Sequence, residues 1–277
     1  MKKSPTDLAL RAAIFSCFVA HGIVAIQASG NYGSEWSAWV RSLLDPEHQY
    51  ELSSIILKTV GAIDVSAGLM FLAPRVHPLA IAWAIFWGAS TTLSRLYFLG
   101  VHIPPFEFNG LHALSEFLIR TPNWMLPVFF FAGSEHSKKT PFNIPLSLSN
   151  GIVIAIWTQM VGILLHCVYE YNSPYFQLEL SKFGMPAWYF QALTAGSLIS
   201  VFLIGFNQLK SVRLPLKTLA FVLATATYAM TEGFQVFMLN ARSGFVYTFL
   251  RVLEHVPIYI SFALWIKQTT REPSKPE

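Results

Sequence analysis

The chain has 277 residues, 53% of them hydrophobic and 12% charged, with a mean hydropathy of +0.46. Soluble domains carry about 25% charged residues, so this composition excludes an ordinary water-soluble domain and names a lipid bilayer as the first partner. The net charge of +4 is not gathered into a basic patch interleaved with aromatics, which sets nucleic acid aside, and the two cysteines, Cys17 and Cys167, form no CxxC pair and read as small apolar fillers.

Eight apolar stretches, at about residues 8–28, 53–73, 78–100, 109–132, 150–170, 186–206, 215–239 and 246–266, each supply the ~20 residues that cross a bilayer as helix. The first opens like a secretory signal, but Arg11 and His21 interrupt its apolar run and the cut site near Ala28 is poor, so it reads as a span. With the N-terminus cytoplasmic, the inner segments hold Lys2, Lys3, Arg75, Lys138, Lys139, Lys210, Arg213, Lys217, Lys267, Arg271 and Lys275. The outer loops hold Arg41, Lys182 and Arg242. That bias places both termini in the cytoplasm, as expected for a bacterial inner-membrane protein.

In the first outer loop, "SEWSAWVRSLLDP" repeats Trp36, Trp39, Val40, Leu43 and Leu44 at helical spacing, with Glu35, Ser37 and Arg41 pointing elsewhere. A short interfacial helix follows, either an anchor or a lid over an outward-facing pocket. The second span carries Asp64 between Gly61 and Gly68, with no Lys or Arg within a turn, which marks it as a proton-handling group. The third carries Trp83, Phe86 and Trp87, read as core or lipid-facing aromatics, and ends near Arg95.

The fourth span places His112, Glu116 and Arg120 at intervals of four, drifting ~40° per step around a helix, with Asn123 extending the stripe. This stripe faces a protein interior, because charges at bilayer depth cost about 2.5–3.5 kcal/mol each on insertion scales. Pro122 and Pro127 are the candidates for a helix break of the kind a transporter would need.

Residues 134–149 read as a polar cytoplasmic linker between a first unit, 1–133, and a second, 150–277. A shift of 137 residues puts Gly68 on Gly205, Pro78 on Pro215 and Arg95 on Glu232; local adjustments put His21 on His166 and Glu116 on Glu254. Two parallel four-helix repeats, related by an axis along the membrane normal, make the expected fold: all-α, with eight transmembrane helices.

The second unit holds His166, Glu232, Arg251, Glu254 and His255. Asp64 and Glu116 are matched by Arg95 and Arg120, but Glu232 and Glu254 face Arg251 alone. One acid must then be protonated, share a histidine proton, or borrow Arg95 across the halves. Most of these groups fall toward the outer half of their helices, where one polar pocket would collect them. Two histidines facing one another across the halves are the one arrangement that could ligate haem or a metal, although their spacing does not favour it; His48, His77 and His136 lie in loops, and no nucleotide-binding, haem-attachment or nucleophile-elbow motif occurs.

The basic residue and His-Gly pair of "RAAIFSCFVAHG", the glycine-containing "VGAIDVSAGLMFLAP" and a third span rich in Ala and Trp resemble the DoxX-like membrane family. The likeness covers residues 8–132 and, more faintly, 150–266. It implies a four-helix bundle, here doubled, and association with quinone-linked or thiol-redox complexes, although the chain lacks a cysteine pair for the latter.

The sequence therefore points to an outward-facing pocket for a quinone- or isoprenoid-like molecule. Asp64 and Glu116 would handle protons, and His21, Arg95, His112, Arg120, Asn123, Glu232, Arg251 and Glu254 would bind. Enzyme status and cofactor stay open; a proton-coupled transporter and a scaffold subunit of a membrane complex are the alternatives.

Overall fold

The computed structural model describes residues 4–31, 34–98, 110–133, 148–209 and 214–269. Most of the 134–149 linker, His136 and the basic residues Lys2, Lys3, Lys138, Lys139, Lys210, Arg213, Arg271 and Lys275 lie outside them. The side chains of Glu35, Lys217 and Arg242 are likewise undescribed.

The described chain is helical throughout, in the order α1 (Pro5–Ser29), α2 (Glu35–Arg41), α3 (Gln49–Met70), α4 (Pro78–Phe98), α5 (Gly110–Ile119) and α6 (Pro122–Ala132). It continues with α7 (Leu148–Asn172), α8 (Pro174–Lys182), α9 (Tyr189–Leu209), α10 (Leu214–Ser243), α11 (Phe245–Glu254) and α12 (Val256–Thr269). Among the described residues, five stretches are long and apolar enough to cross a membrane: Pro5–Ser29, Gln49–Met70, Gly151–Asn172, Tyr189–Phe206 and Phe245–Lys267. Large apolar side chains such as Leu79, Phe86, Phe202 and Phe245 are exposed while ionisable ones are buried, an inversion that lipid explains and water does not. The chain is an integral membrane protein.

Ser4 caps α1 by accepting from the Asp7 backbone N–H at 3.1 Å, with Pro5 at the first helical position. Arg11 donates to the carbonyls of Phe71 and Ala73 at 3.1 and 2.7 Å and so closes the end of α3. The α1–α3 pair is the most intimate in the molecule. A Cβ placed on Gly22 would stand 2.5 Å from the Gly61 carbonyl oxygen, so only glycine allows the two backbones to approach this closely.

The expected fourth span is not one helix. It breaks between α5 and α6 at Arg120 and Thr121, immediately before Pro122, which has no N–H to give to Leu118. The Thr121 N–H and hydroxyl both take that carbonyl, at 3.3 and 2.8 Å. Pro127 sits inside α6 without breaking it. The last span breaks in the same way, at His255 between α11 and α12, two residues before Pro257.

Packing runs across the chain's two halves. α5 lies on α7 and α1 lies on α11, while α12 touches α1, α6 and α7. Lys267 Nζ donates to Thr6 Oγ1 at 3.1 Å, joining the end of α12 to the start of α1.

Candidate functional site

Asp64 is fully buried. Trp83 Nε1 donates to its Oδ1 at 2.6 Å, Trp87 Nε1 donates to Oδ2 at 3.0 Å, and His21 Nδ1 lies 2.7 Å from Oδ2. Indole N–H groups only donate, so both carboxylate oxygens accept and a single proton lies between Asp64 and His21. Trp83 and Trp87, read from the sequence as plain aromatics, are therefore the clamps of the buried acid. The two rings stack at 5.4 Å.

His21 connects this acid to a cavity of about 410 Å³ whose walls come from α1, α2, α3 and α4. Its ring lies 4.4 Å from that of Trp36. Trp36 and Trp39 of α2 are buried and form one wall, and Arg95 stands with its guanidinium 4.7 Å from the Trp39 ring centroid. Ser90, Thr91 and Ser94 add hydroxyls along α4, and Leu43, Ile56, Leu57 and Val60 supply the apolar side. The Trp36 indole N–H has no acceptor among the described residues. Ser37, expected to point away, is buried and accepts from Arg41 at 2.7 Å.

The polar stripe of the fourth span goes elsewhere. Arg120 Nη2 meets Glu116 Oε2 at 2.9 Å, while His166 Nδ1 lies 3.6 Å from Glu116 Oε1 and its Nε2 lies 3.2 Å from Glu170 Oε1. On the other side Arg120 Nη1 stands 3.4 Å from His255 Nε2, His255 Nδ1 is 2.5 Å from Glu232 Oε1, and Tyr228 donates to Glu232 Oε2 at 2.7 Å. These seven side chains make one buried chain from α7 through α5 to α10, with a cavity of about 10 Å³ at its centre, the room of one water molecule.

The sequence-derived residues thus fall into two groups instead of one pocket. His21 and Arg95 line the α1–α4 cavity, with Asp64 behind His21; Glu116, Arg120 and Glu232 belong to the buried chain between the halves, and His112 stacks on Tyr169 beside it at 4.4 Å. Arg95 and Glu232 do not pair. Glu232 is held by His255 and Tyr228, which is the shared-histidine alternative of the charge count. Arg251 donates to Glu254 at 2.6 Å within α11, and Asn123 lines neither cavity, its Oδ1 having no partner among the described residues. Glu170 and Tyr228 were missed, although both sit four residues from a partner on their own helix, the spacing at which helical side chains meet.

Comparison with protein-family models, curated proteins and solved structures finds no match for this chain.

Proposed function

We propose that the protein is an eight-span, two-unit membrane protein that binds a small, partly lipophilic molecule, quinone- or isoprenoid-like, in the cavity of α1–α4. The observation that carries this reading is the cavity itself: about 410 Å³, mainly apolar, with His21, Arg95, Ser90, Thr91 and Ser94 as the polar residues among its walls. Ligand sites of this size typically combine apolar walls with a few oriented polar groups. A carbonyl or anionic head would sit at Arg95. The His21–Asp64 pair would exchange one proton with a hydroxyl or carbonyl, with Asp64 acting through His21 because it does not face the cavity.

Eight spans follow when α4, the α5–α6 pair and α10 are added to the five apolar stretches, and the resemblance to the DoxX-like family favours the doubled unit. So does the packing, because the first helix of each half lies on the broken helix of the other. The cavity is outward-facing if the basic loops lie in the cytoplasm.

The test uses a short-chain benzoquinone, titrated into the purified protein and read by quenching of tryptophan fluorescence, since Trp36, Trp39 and Trp87 line the cavity. Ser90→Trp fills the space and is expected to abolish saturable quenching, and Arg95→Ala to weaken it at least tenfold. Equal quenching of all three proteins contradicts the proposal.

A second reading has its own observation. Two Pro-broken helices meet through their break residues, Arg120 and His255; broken helices facing each other across a repeat interface are how secondary transporters build ion sites. Proton-coupled transport through that centre is the alternative, and it requires proton uptake by vesicles holding the protein.

A further inference from the structure

His112, Glu116 and His166 offer two nitrogens and one oxygen that all lie within 4.8 Å of one another. Each packs against a different neighbour. Glu170 Oε1 holds His166 Nε2 at 3.2 Å, which turns Nδ1 toward Glu116 Oε1 at 3.6 Å. Arg120 takes the other Glu116 oxygen at 2.9 Å, and the His112 ring lies nearly parallel to Tyr169, 6° from coplanar. Ser115 Oγ stands 3.4 Å from His166 Nδ1.

A carboxylate on the far nitrogen of an imidazole is the usual companion of a metal-binding histidine, since it sets the tautomer and the ring direction. A tetrahedral ion with bonds of about 2.0–2.1 Å sets its donors about 3.3 Å apart. The Glu116–His166 pair is near that spacing, and His112, half-buried at the start of α5, closes the rest by rotating about its side chain.

We propose that His112, Glu116 and His166 form a site for one divalent transition-metal ion of the zinc and cobalt class, separate from the α1–α4 cavity. Two imidazoles and a carboxylate are a donor set that such ions accept, with solvent completing the coordination. The site joins the halves, because Glu116 comes from α5 and His166 from α7. It does not depend on what the α1–α4 cavity binds.

The probe is Co²⁺, dialysed into the purified full-length protein and followed by metal analysis and visible absorption. One Co²⁺ per chain is expected, with the intense bands of four-coordinate cobalt, bleached by Zn²⁺. His112→Ala leaves the Glu116–Arg120 and His166–Glu170 contacts in place, so it is expected to unfold cooperatively without metal, as the wild type does, and to bind at least tenfold more weakly. Glu170→Gln, which removes the charge that supports His166, is expected to weaken binding about tenfold. Zn²⁺ should raise the unfolding temperature of the wild type and not of His112→Ala. Absence of stoichiometric cobalt in the wild type, or equal affinity in His112→Ala, overturns the proposal.

Discussion

Asp64 takes hydrogen bonds from Trp83 and Trp87 and shares a proton with His21, without any Lys or Arg among these contacts. Such an acid is held by N–H geometry, and its loss would leave several buried donors without an acceptor. Asp64→Ala is therefore expected to destabilise by about 3–5 kcal/mol. Trp83→Phe removes one donor from an acid that keeps two partners, and should cost about 1 kcal/mol. Thermal unfolding of the three proteins in one detergent checks the order. Equal melting temperatures for Asp64→Ala and the wild type would show that the cluster carries no strain on removal. That Asp64 lay deep was legible in the sequence, because an acid between glycines in an apolar run has no route to water. Its partners were not. Trp83 and Trp87 sit four apart on another helix, and an indole N–H carries no charge to advertise it.

Between elements, the close approach of α1 and α3 decides how the His21–Asp64 pair forms. A Cβ on Gly61 would lie 2.6 Å from the Gly22 carbonyl oxygen and 2.7 Å from Ile26 Cγ1, so a side chain there must push the helices apart. Gly61→Val is expected to destabilise by roughly 2–3 kcal/mol and to lower benzoquinone affinity, because His21 of α1 and Ile56, Leu57 and Val60 of α3 all line the cavity. Unchanged melting and binding would contradict this packing. Pro122 signalled the break of α5 from α6 in the sequence; Pro257 carried the same signal in α12 and was passed over, although its missing N–H works identically. The stripe of His112, Glu116 and Arg120 was legible as one helical face. Which neighbour that face meets was not, since α7 follows in the chain only after the segment 134–147 and periodicity says nothing about its placement.

At the scale of the molecule, the two polar regions are separate. The buried chain from Glu170 to Tyr228 ties the halves together through carboxylates, imidazoles, one guanidinium and a phenol, each supporting the next. The α1–α4 cavity is the open space beside it, and it is formed within the first half alone. Sequence reasoning found the membrane class and the polar residues, because length, hydropathy and charge are local properties. It merged the two regions because depth in the bilayer is readable from position along a helix, whereas direction around the bundle depends on packing. The central claim is that the α1–α4 cavity holds a small lipophilic guest. It is tested most directly by mass spectrometry of organic extracts from the purified wild type and from Ser90→Trp, prepared in parallel. One quinone- or isoprenoid-like species enriched near one equivalent in the wild type and lost from Ser90→Trp is the predicted result, and identical extracts from the two proteins would contradict it.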